Sequence, residues 1–123
     1  MKYTKDDQIA LNIGSTRGWV YRLIEIDSED EEAMAEWDNI GAYFDEMRHL
    51  DEDTVYIGLT NNPYQRFGKH RSQKGWCYKM EVFHICDGPA HAKFVEARAI
   101  YEYENKYGQV PELNKGGNTF AGA

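Results

Sequence analysis

Near Leu59 the chain switches its hydrophobic period from two to about 3.6 within a few residues, and the rest of the fold must accommodate that junction. Asp53 to Leu59 reads as a strand in which Val55, Ile57 and Leu59 point one way while Tyr56 and Gly58 point the other. Asn61-Asn62-Pro63 follows, an asparagine N-cap with proline at the first helical position. The helix this starts, from Asn62 to Lys74 with Gly75 ending it, stacks Arg66 and His70 on one face. Tyr64 and Phe67 lie round the cylinder from that pair and supply its buried side. A guanidinium that keeps its charge, beside an imidazole that titrates near neutrality and at the end of a strand carrying Tyr56, suits the reception of a phosphate. Gly58 leaves backbone open beside the tyrosine, for a ligand or equally for a tightly packed neighbour.

A chain of 123 residues, 41% hydrophobic and 14% aromatic, has the size and composition of one soluble domain, 1–123. No apolar run approaches the roughly 20 residues of a membrane span, and the polar start MKYTKDDQ is no signal peptide, so the expected setting is cytoplasmic with no membrane partner. Cys77 and Cys86 fit a reducing compartment as free thiols in packing, in preference to a disulfide. The net charge of −7 is unevenly spread: Glu25 to Asp53 holds thirteen acids and one base, and the remainder thirteen bases and eight acids. A mildly basic body therefore carries an acidic insertion, residues 27–53.

Residues Met1 to Gly18 read as a loosely held arm with a short strand around Ile9 to Ile13, and Trp19 to Ile26 as a strand with Tyr21 in its middle. From Ser28 to His49 the period lengthens. Ser28 with Glu31 forms a capping box, and Met34, Trp37, Gly41, Phe44 and Met47 fall along one stripe, giving an amphipathic helix with a break near Asn39 to Gly41. Its stripe packs on the domain, or else covers a basic cleft or docks a protein partner or second copy. Lys79 to Cys86 is a third strand. Asp87-Gly88-Pro89 then turns into a helix from about Ala90 to Tyr107, stopped by Gly108 and Pro111, with Glu96, Ile100, Tyr103 and Tyr107 on one stripe. Pro111-Glu112-Leu113-Asn114 opens a turn-rich tail. Cys77, His84, Cys86 and His91 match no zinc-finger or ribbon spacing, and His84 with Cys86 on one strand face reads as a packing pair.

Val20-Tyr21 in one strand, Tyr56-Ile57-Gly58 in the next, Arg66 and His70 on the following helix, Glu96 four residues before Ile100, and the segment Pro111 to Asn114 together resemble the GIY-YIG endonuclease superfamily. The resemblance covers residues 18–118. It departs from the family pattern at Trp19, where the family has glycine, and in the long acidic stretch between the two tyrosines. It implies an α+β fold, a three-stranded antiparallel sheet flanked by helices, here with an acidic amphipathic helix inserted between the first two strands. It also implies metal-dependent hydrolysis of phosphodiester bonds in DNA.

Such chemistry needs a nucleophilic water, charge neutralisation on the phosphoryl oxygens and stabilisation of the departing oxygen. On the resemblance, Glu96 holds the metal, Mg²⁺ or another divalent ion such as Mn²⁺, with waters in the other positions. Arg66 clamps a phosphate oxygen, Tyr21 is the better candidate for the base with Tyr56 beside it, His70 takes on or orients the phenolic proton, and Asn114 ties the last segment to the site. Glu102 competes with Glu96 as ligand because it stands closer to Asn114. Two rival functions remain: an acidic DNA mimic or inhibitor, suggested by the acidic block, and a GIY-YIG domain that binds DNA without cutting it.

Overall fold

A computed structural model describes residues 2–12, 17–26, 29, 43–46, 50–71 and 78–115; for residues 2–5, 7–8, 43–46, 64, 70 and 71 the description covers the backbone. Among the described residues, five strands form one sheet in the order β1-β3-β5-β2-β4. Its centre is the expected antiparallel trio: β2 (Gly18–Glu25) lies between β4 (Thr54–Thr60) and β5 (Tyr78–Cys86). These three runs alternate, carry β-branched and aromatic residues, and bury both faces of β2, where Trp19, Val20, Tyr21 and Leu23 are all inaccessible. The alternation breaks at Val55, where the pairing steps from Leu23↔Tyr56 to Ile24↔Thr54.

One face of the sheet presents Trp19, Tyr21, Leu23, Tyr56, Met80 and Val82 to Phe67 of α2 (Pro63–Arg71). The other packs Val20, Ile57 and Cys86 against Ala92, Ala99 and Tyr103 of α3 (Pro89–Tyr107). The start of α3 crosses β2 so closely that a Cβ on Gly18 would collide with the Ala92 Cβ. Both helices begin near the expected positions, and α3 ends at Tyr107 as expected, because the signals there are local; the expected end of α2 at Lys74 and Gly75 lies outside the described residues. Asn62 Oδ1 accepts from Gln65 N at 3.0 Å, and Pro63 opens α2 without forfeiting a needed donor.

Two expectations are corrected. Residues 43–46, expected within the acidic amphipathic helix of 28–49, form β3 (Tyr43–Glu46), which runs parallel to β5 through Asp45↔Glu81 and pairs antiparallel with β1 (Lys2–Thr4). Ladder bonds to strands distant in sequence override the helical period there. The rest of that expected helix lies outside the described residues, apart from a turn at Glu29. The N-terminal arm is no strand between Ile9 and Asn12 but a helix, α1 (Lys5–Asn12). It is held from outside: Leu11 packs on the first core cluster, Arg17 Nε donates to Leu11 O at 2.8 Å, and Trp19 Nε1 donates to Asn12 Oδ1 at 3.3 Å.

Arg22, on β2, is 7% exposed and was not singled out from the sequence. Its Nε and Nη2 donate to one oxygen of Glu81, its register partner on β5, at 2.9 and 2.7 Å. Its Nη1 donates to Asp51 Oδ1 at 2.7 Å and to Thr54 Oγ1 at 3.1 Å, so one guanidinium joins β2, β5 and the turn into β4. A cation in an otherwise apolar strand was the sequence signal; its partners become visible only with the register.

Candidate active site

Tyr21 and Tyr56 come from adjacent strands and meet on one face of the sheet, ring centroids 6.1 Å apart and planes tilted by 48°. Gly58, the register partner of Tyr21, lies beneath both. A Cβ there would stand 2.6 Å from Tyr56 Cε2 and 2.8 Å from both Tyr21 Cζ and Oη. The open backbone at Gly58 is thus filled by the two phenols themselves.

Arg66 comes to the phenols on α2. The Asn62 cap sets the start of that helix, with Arg66 N donating to Asn62 O at 3.0 Å, and buried Phe67 sets its rotation. The guanidinium lowers the pKa of Tyr21, by charge and by hydrogen bonding, and that of Tyr56 by charge. It does not reach Tyr21 Oη at the geometry of a full hydrogen bond, so that buried oxygen is left unsatisfied among the described residues. An unsatisfied buried hydroxyl costs about 1–3 kcal/mol and calls for an explanation. His70 stands one turn beyond Arg66 on the same helix, and its side chain lies outside the described residues.

Glu96 contributes from α3. Its carboxyl is half-buried, and burial raises its pKa, an effect offset in part by Lys93. The Glu96 charge raises the pKa of both phenols, which brings it into the neighbourhood of Tyr21 and Tyr56. Glu102 faces elsewhere: it pairs with Arg98 at 3.0 Å on the exposed side of α3. Desolvation is the largest influence on each phenol, pushing Tyr56 up to about 12 and Tyr21 higher. Both phenols are therefore protonated at neutral pH.

Asn114 does not join this group directly. It sits at the end of a 3₁₀ turn (Glu112–Asn114) and brackets the peptide of Ile57, between Tyr56 and Gly58 on the edge strand. Its Oδ1 accepts from Ile57 N at 2.9 Å and its Nδ2 donates to Ile57 O at 3.0 Å. Arg66 also lines a groove with Arg17, Thr60 and Asn61.

Four side chains, from β2, β4, α2 and α3, thus share one electrostatic neighbourhood in the order in which the chain presents them, and a family model describing the GIY-YIG catalytic domain matches residues 17–110. The chain belongs to the GIY-YIG family. No curated protein and no solved structure matches it. The GIY-YIG domain places the chain in a superfamily of nucleases acting on DNA, enzymes that use divalent metals. A metal fits the chemistry of this site: Glu96 offers a half-buried carboxylate whose charge its surroundings leave poorly compensated. Among the described residues Glu96 belongs to no cluster of three ligand groups. A lone carboxylate suits Mg²⁺, which keeps several of its waters.

Proposed function

We propose that this GIY-YIG protein is a divalent-metal-dependent DNA endonuclease. The reading rests on one observation: Arg66 and Glu96 both bear on the ionisation of Tyr21 and Tyr56, two phenols that meet over a glycine that leaves room for them and nothing more.

Arg66 binds a non-bridging oxygen of the scissile phosphate, and the groove it shares with Arg17 carries the flanking backbone. Tyr21, once it has passed its own phenolic proton to His70, receives the proton of the attacking water, with Tyr56 orienting that water. Burial, Tyr56 and Glu96 all oppose ionisation of Tyr21 and Arg66 favours it, so while the Glu96 charge stands uncompensated the phenol keeps its proton. A divalent ion held by Glu96, Mg²⁺ or Mn²⁺, supplies positive charge for the phosphoryl and departing oxygens. His70 takes the phenolic proton onward or orients the hydroxyl. Asn114 acts through the β4 backbone, holding Tyr56 and Gly58 in place.

The test is nicking of supercoiled plasmid in Mg²⁺ by the wild type, Glu96→Ala and Glu102→Ala. Wild type and Glu102→Ala are expected to nick and Glu96→Ala not to. DNA binding without nicking by the wild type identifies a GIY-YIG domain that has lost catalysis, and neither binding nor nicking overturns the proposal.

A further inference from the structure

On the far side of the sheet from the two phenols, three side chains that the nuclease chemistry does not use come together. His84 and Cys86 project from the same face of β5, two residues apart, and Cys86 ends that strand. Gly88-Pro89 then starts α3, and His91 lies in its first turn. The ligand atoms of His84, Cys86 and His91 all lie within 4.8 Å of one another, and the two imidazoles meet edge to face at 6.1 Å between centroids. The sequence spacing resembles no finger because the ligands come from a strand end and a helix start rather than from a knuckle. The tertiary structure supplies the convergence that the spacing conceals.

We propose that His84, Cys86 and His91 form a metal site selective for a soft or borderline transition ion, with Zn²⁺ as the ordinary occupant. The donor set decides the class of ion: one thiolate and two imidazoles suit Zn²⁺ and discriminate against the hard, oxygen-seeking Mg²⁺. A tetrahedral zinc with bonds of about 2.3 Å to sulfur and 2.0 Å to nitrogen sets its ligands about 3.3–3.6 Å apart. Both histidines are exposed and Cys86 is buried, so the imidazoles close onto a fixed sulfur by small side-chain rotations. Binding displaces the Cys86 thiol proton to solvent as the Zn–S bond forms, and Asp87, beside it and paired with Arg17, adds negative charge next to the cationic centre.

The site joins the end of β5 to the start of α3. That junction has no side-chain cap, since Gly88 occupies the N-cap position and makes no side-chain hydrogen bond. Glu96 follows His91 by little more than one turn of the same helix, so an ion here fixes the strand-to-helix angle that delivers the carboxylate to the nuclease site. The ion's role is structural, with water completing the coordination.

Cobalt(II) is the direct probe. The full chain, purified with chelator and reduced, is titrated anaerobically with Co²⁺ in excess Mg²⁺. The expected result is one ion per chain, with visible bands of tetrahedral cobalt and a near-ultraviolet thiolate-to-cobalt band that stoichiometric Zn²⁺ bleaches. Cys86→Ser is expected to abolish the thiolate band. If that variant fails to fold, His84→Ala and His91→Ala, altered at exposed positions, decide instead by weakening binding at least tenfold. Glu96→Ala and Cys77→Ser are expected to keep the spectrum, which separates this site from that of the nuclease metal. Absence of a thiolate band in the wild type, its loss in Cys77→Ser, or its persistence in the histidine variants with unchanged affinity each overturns the proposal.

Discussion

Asn114 replaces a missing neighbouring strand for Ile57: its amide oxygen takes the Ile57 N–H at 2.9 Å and its amide nitrogen gives to the Ile57 carbonyl at 3.0 Å. On an edge strand both backbone groups otherwise turn outward. Asn114→Ala removes both partners at once and is expected to cost about 1–3 kcal/mol. Asn114→Asp keeps the acceptor and loses the donor, and falls between. Urea unfolding measures the stability, and nicking rates are expected to fall in the same order because Tyr56 and Gly58 flank the bracketed peptide. Unaltered stability in Asn114→Ala contradicts this account.

Gly58→Ala puts a methyl group within 2.8 Å of the Tyr21 hydroxyl and 2.6 Å of the Tyr56 ring. The rings must move apart, at an expected cost of about 1–3 kcal/mol for overpacking. Activity is expected to fall far more than stability, by on the order of 10²-fold, because small displacements of a catalytic group are enough to do so. Parallel measurements of melting temperature and nicking check the contrast.

Deleting the unsatisfied hydroxyl separates stability from function. Tyr21→Phe keeps the ring's packing and removes a buried oxygen that has no full hydrogen bond among the described residues. The variant is expected to be as stable as the wild type or more so, by up to about 1–3 kcal/mol, and not to nick DNA. A clear loss of stability sets this explanation aside.

Arg22→Ala takes both close hydrogen bonds from Glu81, only 13% exposed, and leaves it the longer ion pair with Lys79 at 3.9 Å. Breaking such a pair from one side is expected to cost about 3–5 kcal/mol, while Arg22→Met with Glu81→Leu recovers most of that loss. A double-mutant cycle by chemical denaturation gives the coupling.

Alkaline pH is expected to destabilise the fold through Tyr21, Tyr56 and Tyr103, all raised above the ordinary tyrosine value of 10.0 chiefly by burial. The folded state holds its phenolic protons where the unfolded chain releases them. Their contribution is therefore complete below pH 10 and lost as pH rises, through about 12 for Tyr56. Denaturation followed at stepped alkaline pH is expected to show a steepening loss from about pH 10, shallower in Tyr21→Phe.

Much of this was legible because the determining physics is local. Alternation marks β2, β4 and β5, Asn62-Pro63 marks the start of α2, and the ordered set Tyr21, Tyr56, Arg66, Glu96 carries the family resemblance. The strand at 43–46 was not legible, since Phe44 fits a helical stripe as well as a strand and only pairing with β5 and β1 selects between them. Leu11 gave too weak a signal to distinguish a docked helix from an arm until the core it packs against was in view. Arg22 was not singled out, for want of the register that sets Glu81 opposite it.

The amino-acid order alone determined the three central strands, the starts of α2 and α3 and the chemical types assembled at the candidate site. Each follows from side-chain period, cap chemistry or motif, forces that act over a few residues. The tertiary structure alone decided that Glu96 rather than Glu102 shares the phenols' electrostatic surroundings, that Gly58 accommodates two rings, and that His84, Cys86 and His91 converge. Those outcomes depend on packing between segments tens of residues apart, and burial, which sets the ionisation of both phenols, exists only once the segments have closed on one another.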